Sequence, residues 1–313
     1  MSSDVAQVKH SPPRSVGDRV FSGLVTAASA VILITLAGVA LFLTFEGLPA
    51  LGAKADDIPG ADTFVAYVWP LIFGTLLSSA LALLFAVPFA IGVALFISHY
   101  APRRLSSSLG YTIDLLAAVP SIIYGLWGIF FLAPRMVPAY DWLAANLSWI
   151  PFFAGPASQT GRTILTVGIV LAVMVLPIMT AICREIFLQT PRLHEEAALA
   201  LGATRWEMVK MTVFPYARSG IVSGAMLALG RALGETIAVA TVLSVSGVVS
   251  FNLISNTNPG TIAANIALKF PEASGIEVNL LIATGLVLFI ITFIVNFIAR
   301  AIVGRRAEYS GAN

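Results

Sequence analysis

Apolar residues gather into six runs, roughly 21–45, 69–98, 109–133, 163–188, 219–246 and 278–303, set apart by shorter polar stretches. Each is long enough to cross about 30 Å of hydrocarbon at 1.5 Å per residue. Backbone polar groups find no partner in lipid, so each run predicts an α-helix. The short alternating segments of a membrane β-barrel are absent from the pattern. The reading is an all-α membrane protein with six transmembrane helices over 21–306, preceded by a segment 1–20 and followed by a tail 307–313. The first run exceeds the roughly 7–15 apolar residues of a cleaved signal peptide, which makes it a retained helix.

Composition agrees: 58% of the 313 residues are hydrophobic and only 11% charged, against about 25% charged in soluble domains. Of the 18 Lys and Arg, the outer segments hold Lys54, Arg135, Arg162 and Lys269, and one run holds Arg231. The remainder fall on the other side. Cationic excess marks the cytoplasmic face, which places both termini, segment 1–20 and tail 307–313 there. A net charge of +2 offers no concentrated basic surface for nucleic acid. Cys183 stands alone, and His10, His99 and His194 are scattered. No internal disulfide and no metal-ligand spacing follow from them.

Two connections carry more information. The outer loop 134–162 contains Tyr140, Trp142 and Trp149, which suit either an interfacial aromatic belt or a surface for an external partner. The inner loop 189–218 is punctuated for two short helices. Thr190 and Pro191 supply a hydroxyl cap and a first-turn proline. The helix through "EEAALAL" meets Gly202, suited to a left-handed stop. Thr204 and Glu207 then form a capping box, and the second helix is expected to end before Pro215.

The fifth run, "GAMLALGRALGETIAVATVL", sets Arg231 and Glu235 in its middle. A charge at a helix centre costs about 2.5–3.5 kcal/mol on insertion scales. Glu235 lies one turn beyond Arg231 on the same face, where the two neutralise each other. A purely stabilising pair explains little, because apolar replacements of buried pairs are often as stable. Arg231 facing a pathway explains more, since a guanidinium fork suits bidentate binding of an oxyanion. Glu235 would hold or gate it. Ser121 and Arg231 each lie about twelve residues from the inner ends of their runs, at Leu109 and Ser219. That puts Ser121 and Tyr124 within reach of the same anion, with Pro120 loosening the backbone beside them. Gly220 with Gly224, and Gly230 with Gly234, suit close helix packing.

The inner loop resembles the EAA loop of ABC importer permeases. It keeps Glu196, Ala197, Ala198, Gly202 and, thirteen residues on, Pro215, with Thr212 and Phe214 where that family usually has Ile and Leu. The resemblance implies a type I permease fold and a coupling helix seated on a cytoplasmic ATPase. Gly202 would form its elbow, and Glu195, Glu196 and Arg205 would pair with the partner. None of the four lysines follows a glycine, so the chain lacks a phosphate-binding P-loop. It is read as a non-enzyme with no cofactor of its own, ATP and Mg being bound by the ATPase.

"LGRALGETIAVATVLS", "VPSIIYG" and the EAA loop together are similar to the permeases of the phosphate-specific ABC importer. The "GDRVF" start and the long outer loop favour the PstC type. This resemblance implies phosphate import across the bacterial plasma membrane, with four kinds of component. An extracytoplasmic phosphate-binding protein delivers the anion, a second permease of PstA type completes the path, and ATP-binding subunits drive alternating access. The bilayer is the solvent, and Arg231 and Glu235 lie on the path. Residue types alone leave open another oxyanion (sulfate, molybdate or tungstate), and a secondary transporter working without ATP.

Overall fold

The structure, a computed structural model, describes residues 16–307, with side chains to residue 301 apart from that of residue 56. Residues 1–15 of segment 1–20, with Lys9 and Arg14, most of tail 307–313, and the side chains of Arg305 and Arg306 lie outside the described residues. The helices are α1 (Val16–Leu51), α2 (Phe64–Leu95), α3 (Arg103–Ala117), α4 (Ser121–Trp127), α5 (Ala133–Asn146) and α6 (Ile164–Leu188). There follow α7 (Arg192–Ala200), α8 (Arg205–Met208), α9 (Phe214–Leu233), α10 (Ile237–Val242), α11 (Ile262–Lys269) and α12 (Ile276–Ala307). Single π-helical turns extend α2 to Tyr100, join α4 to α5 and join α8 to α9.

The centre is α2 against α6. Ala82, Ala86, Ala90 and Ala94 recur every fourth residue on α2 and are fully buried, so the two backbones approach closely along one stripe. Gly168 of α6 adds to this, since a Cβ there would sit 2.7 Å from Leu81 Cβ. Helix α9 packs against both α6 and α2, and Cβ atoms at Gly220 and Gly224 would meet Ile186 and Ile182 of α6. The periphery is different. Helix α1 buries none of its most apolar stretch and lies along α12, closest where Gly47 meets Ala283.

Among the described residues, five helices are long and apolar enough to cross a membrane: 16–51, 64–100, 121–146, 164–188 and 276–301. Two of the six expected runs are interrupted. The run 109–133 is broken at residues 118–120, where Pro120 lacks an N–H and disfavours helix in the residue before it. Helix α3 therefore starts earlier, at Arg103, and the helix from Ser121 continues to Asn146, well into the expected outer loop. The run 219–246 is two helices, α9 and α10, separated at Gly234–Thr236.

The end opposite α7 and α8, called here the outer end, is closed by two interlocked segments, 147–163 and 243–261. Ser158 N donates to Ile254 O (2.8 Å), Leu253 N to Phe152 O (2.9 Å) and Ser246 N to Asn258 O (3.0 Å). Tyr140 does not join an interfacial belt. It is fully buried, hydrogen-bonded to Thr166 Oγ1 at 2.6 Å, while Trp142 and Trp149 are exposed.

Candidate functional site

Arg231 lies in the last turn of α9, and the helix stops two residues later, at Leu233. That break separates the two charges which a continuous helix would have stacked. Glu235 is buried, and its Oε1 accepts from Ala238 N at 3.1 Å, capping the start of α10. A carboxylate at a helix N-terminus meets unpaired N–H groups and the positive end of the dipole. Neither Arg231 nor Glu235 is in an ion pair among the described residues. The expected neutralising pair is therefore not formed. Arg231 Nε is buried with no hydrogen-bond partner.

Helices α4 and α10 lie side by side. A Cβ on Gly125 would meet Ala238 Cα at 3.0 Å, and one on Gly128 would meet Val242 and Val170. This packing brings the break before α4 beside the break before α10. Tyr124 is within electrostatic reach of Arg231, and its hydroxyl donates to Leu116 O at 3.0 Å, bridging the break at 118–120. Ser121 is the first residue of α4, half-buried, with no hydrogen bond to Arg231. The structure thus leaves Tyr124 within electrostatic reach of Arg231 with its hydroxyl proton given to Leu116 O, turns Glu235 onto α10, and leaves Ser121 without a direct link.

Arg231 and Gly230 face a cleft of about 830 Å³ between α6, α9 and α12. Its walls are mostly apolar, with Ser223, Asn296 and Arg300 as further polar groups. Gly230 has nothing within 4 Å of where a Cβ would stand, and Gly234 meets only the carbonyl of Gly230. Among the described residues no neighbouring helix packs against the second GxxxG, and Gly230 lies on the cleft beside Arg231. Arg300 and Asn296 escaped the sequence reading because Arg300 counts there only as an inner-face cation.

At the inner end, α7 and α8 form the expected elbow. Gly202 has φ +87°, and Ala203 N bonds Ala198 O (3.2 Å) while Gly202 N bonds Leu199 O (3.0 Å), a Schellman stop. Thr204 N donates to Glu207 Oε2 at 2.8 Å, and Glu207 N donates to Thr204 Oγ1 at 3.3 Å. These bonds hold the exposed Glu207 carboxyl below the usual carboxylate range. Two local expectations fail. Pro191 itself is the N-cap of α7, and the Thr190 hydroxyl is buried without a partner. Pro215 does not end the second helix, because a π turn over Val209–Val213 resets the bonding register just before it.

Glu196, Ala197 and Arg205 are exposed on this elbow together with Leu193, Leu201 and Trp206, while Ala198 packs into the core. Glu195 turns inward, its Oε1 3.5 Å from Nε2 of His99 at the end of α2. Arg184 of α6 reaches Asp114 of α3 at 3.7 Å, and Gly110 leaves the space that its guanidinium fills.

Comparison with known proteins agrees with this architecture. The profile of the family described as "Binding-protein-dependent transport system inner membrane component" matches residues 86–308. A Mycobacterium tuberculosis protein named phosphate transport system permease protein PstC 2 is 47% identical over 316 residues, covering 95% of this chain and 94% of its own. The PstC proteins of Mycobacterium leprae (46%; 86% and 88% covered) and Mesorhizobium japonicum (39%; 94% and 92%) are also similar. Among solved structures, the MetNI methionine ABC transporter in an inward-facing conformation matches with a TM-score of 0.50 at 17% identity, covering 77% of this chain and 95% of that one. A bacterial ABC transporter involved in alginate import matches equally well, with a TM-score of 0.50 at 17% identity over 92% and 99%. The fold is that of type I ABC importer permeases, and the chain is a multi-pass plasma-membrane protein. It belongs to the family of binding-protein-dependent transport system inner membrane components, alongside the PstC permeases.

Proposed function

We propose that this chain is a permease subunit of an ATP-driven importer of inorganic phosphate, and that Arg231 is the anion's contact on the path. One observation carries the reading: an arginine with a buried, unpartnered Nε faces an open cleft while the nearest carboxylate in sequence is committed elsewhere. A cation left uncompensated in a low-dielectric setting is costly, and an oxyanion that binds it bidentately relieves that cost.

The relatives named for phosphate transport support the choice of anion. Membership of this family implies ATPase and binding-protein partners. In the proposed cycle an extracytoplasmic phosphate-binding protein delivers the anion. A companion permease of PstA type supplies the other wall of the cleft. ATP-binding subunits, holding ATP and magnesium, engage the elbow through Glu196, Ala197 and Arg205, and drive alternating access. Glu195 and Ala198 hold the elbow to the membrane helices, and Gly202 sets its bend.

The test is labelled phosphate uptake in a host lacking its own high-affinity uptake and expressing the whole complex. Unlabelled sulfate, molybdate and tungstate serve as competitors. ATP-dependent uptake that resists them, and is lost in Arg231→Ala at equal membrane abundance, is the expected result. Uptake blocked by sulfate, molybdate or tungstate would reassign the substrate to that oxyanion. Undiminished uptake by Arg231→Ala would remove Arg231 from the path.

A further inference from the structure

The half-helix α10 is six residues long, too short to hold its place by backbone bonding alone. Its two ends are held by opposite charges. Glu235 caps the N-terminal end. At the C-terminal end, Arg162 from the outer segment donates through Nε to Val242 O at 3.2 Å, and through Nη2 to Thr241 O at 3.3 Å and Leu243 O at 3.5 Å. Acid at the positive end of a helix and base at the negative end is the arrangement its dipole favours. These carbonyls have no following helical turn to pair with, so the guanidinium fork supplies their donors.

Arg162 is itself fixed. Asn258 is fully buried, and its Nδ2 donates to Arg162 O (3.2 Å) and Ser244 O (3.0 Å) while its Oδ1 accepts from Ile164 N (3.0 Å). One side chain therefore ties the start of α6, the end of α10 and both outer segments together. Moving the outer segments moves Arg162, and moving Arg162 moves α10.

We propose that Arg162 is a positioning residue: it suspends α10 from the outer segments, and so sets where the Glu235 cap and the Gly234 break stand beside Arg231. This rests on the function proposed above. It assigns Arg162 the task of transmitting the arrival of a loaded delivery protein at the outer end to the helix break at the anion's contact. The anion itself does not touch Arg162.

The experiment uses the purified complex in proteoliposomes, with ATP hydrolysis measured without and with the phosphate-loaded binding protein. Hydrogen exchange is followed for peptides covering 237–243 and 192–208. For Arg162→Ala the expected result is unchanged basal hydrolysis and about a tenfold loss of stimulation, the scale of one hydrogen bond to a charged group. The half-saturating concentration of binding protein should stay the same. Exchange should rise in 237–243 and not in 192–208. Arg162→Lys, which keeps the cation without the fork, should recover part of the stimulation, and it serves as the readout if Arg162→Ala fails to assemble.

Full stimulation in the variant read would overturn the proposal. So would a parallel fall in basal and stimulated hydrolysis, which marks a merely structural role. A raised half-saturating concentration with unchanged maximal stimulation would make Arg162 a docking contact instead and would also overturn it. Absence of stimulation in the wild-type complex by phosphate-loaded protein would count against the phosphate reading. In that case the exchange of 237–243 still decides the role of Arg162.

Discussion

Arg231 and Glu235 differ in what they do with their charges. Glu235 is occupied by the backbone of α10, and Arg231 has no such commitment. Its usefulness then depends on shape as well as sign. Arg231→Lys keeps the positive charge but replaces a planar fork by a point charge on a flexible stem. Losing one of two charge-assisted bonds corresponds to about 1.5–3 kcal/mol, or roughly ten- to a hundredfold in kcat/KM for uptake. Wild-type uptake by Arg231→Lys at equal abundance would show that charge alone suffices. The sequence exposes both residues at once, because full charges are conspicuous in an apolar run. Their pairing does not follow from it, because four residues apart means one face only while the helix continues. It ends at Gly234, and a glycine four residues after another reads equally well as a packing motif. Gly220 and Gly224 are such a motif; Gly230 borders the cleft and Gly234 caps the end of α9.

Among the elements, the inner elbow is the part whose local chemistry speaks most directly. Its capping box and glycine stop involve residues within three to six positions of one another, so tertiary context has little to override. Gly202 adopts φ +87° with open space around it, so a side chain there meets backbone strain rather than a clash, about 1–2 kcal/mol. Gly202→Leu should therefore leave the membrane helices folded while bending the elbow away from its ATPase. Co-purification of the ATP-binding subunits and ATP-driven uptake should both fall, and normal values for both would exclude a coupling role. A second consequence concerns acid. The Glu207 carboxyl is held low by its bonds to Thr204. Its contribution to the cap is thus fully present above the ordinary carboxylate pKa, and is lost as pH falls through that value towards the lowered one. Hydrogen exchange at the Glu207 amide should stay slow, relative to intrinsic rates, from neutral pH down to the ordinary carboxylate range and become less protected only below it. Protection lost well above that range would contradict the cap. The misread features here are those set by neighbours: the π turn that carries the helix past Pro215, and the burial of the Thr190 hydroxyl.

For the molecule as a whole, hydropathy announces which residues meet lipid, but not which helices carry the packing. The helices 16–51, 64–100, 164–188 and 276–301 look alike by that measure. In the structure, α2 and α6 form the centre and α1 lies on the rim, touching chiefly α12. The difference is written in small residues whose significance depends on what stands opposite. Gly168 has Leu81 opposite, with the core on every side. Gly47 has only Ala283 opposite, near the end of a helix most of whose residues are exposed. Overpacking costs about 1–3 kcal/mol where neighbours cannot move and less where they can. Gly168→Leu should therefore lower the unfolding temperature of the detergent-purified complex by several degrees or prevent its recovery. Gly47→Leu should shift α1 outward against α12, with a smaller loss and with uptake largely retained. Thermal unfolding of the two variants side by side decides the matter. Equal losses would mean that α1 is as integral to the fold as α6, and that the division into centre and rim is wrong. A large loss for Gly168→Leu alone would place the stability of the permease in α2 and α6. The breaks before α4 and α10 would then be free to move without unfolding the bundle around them.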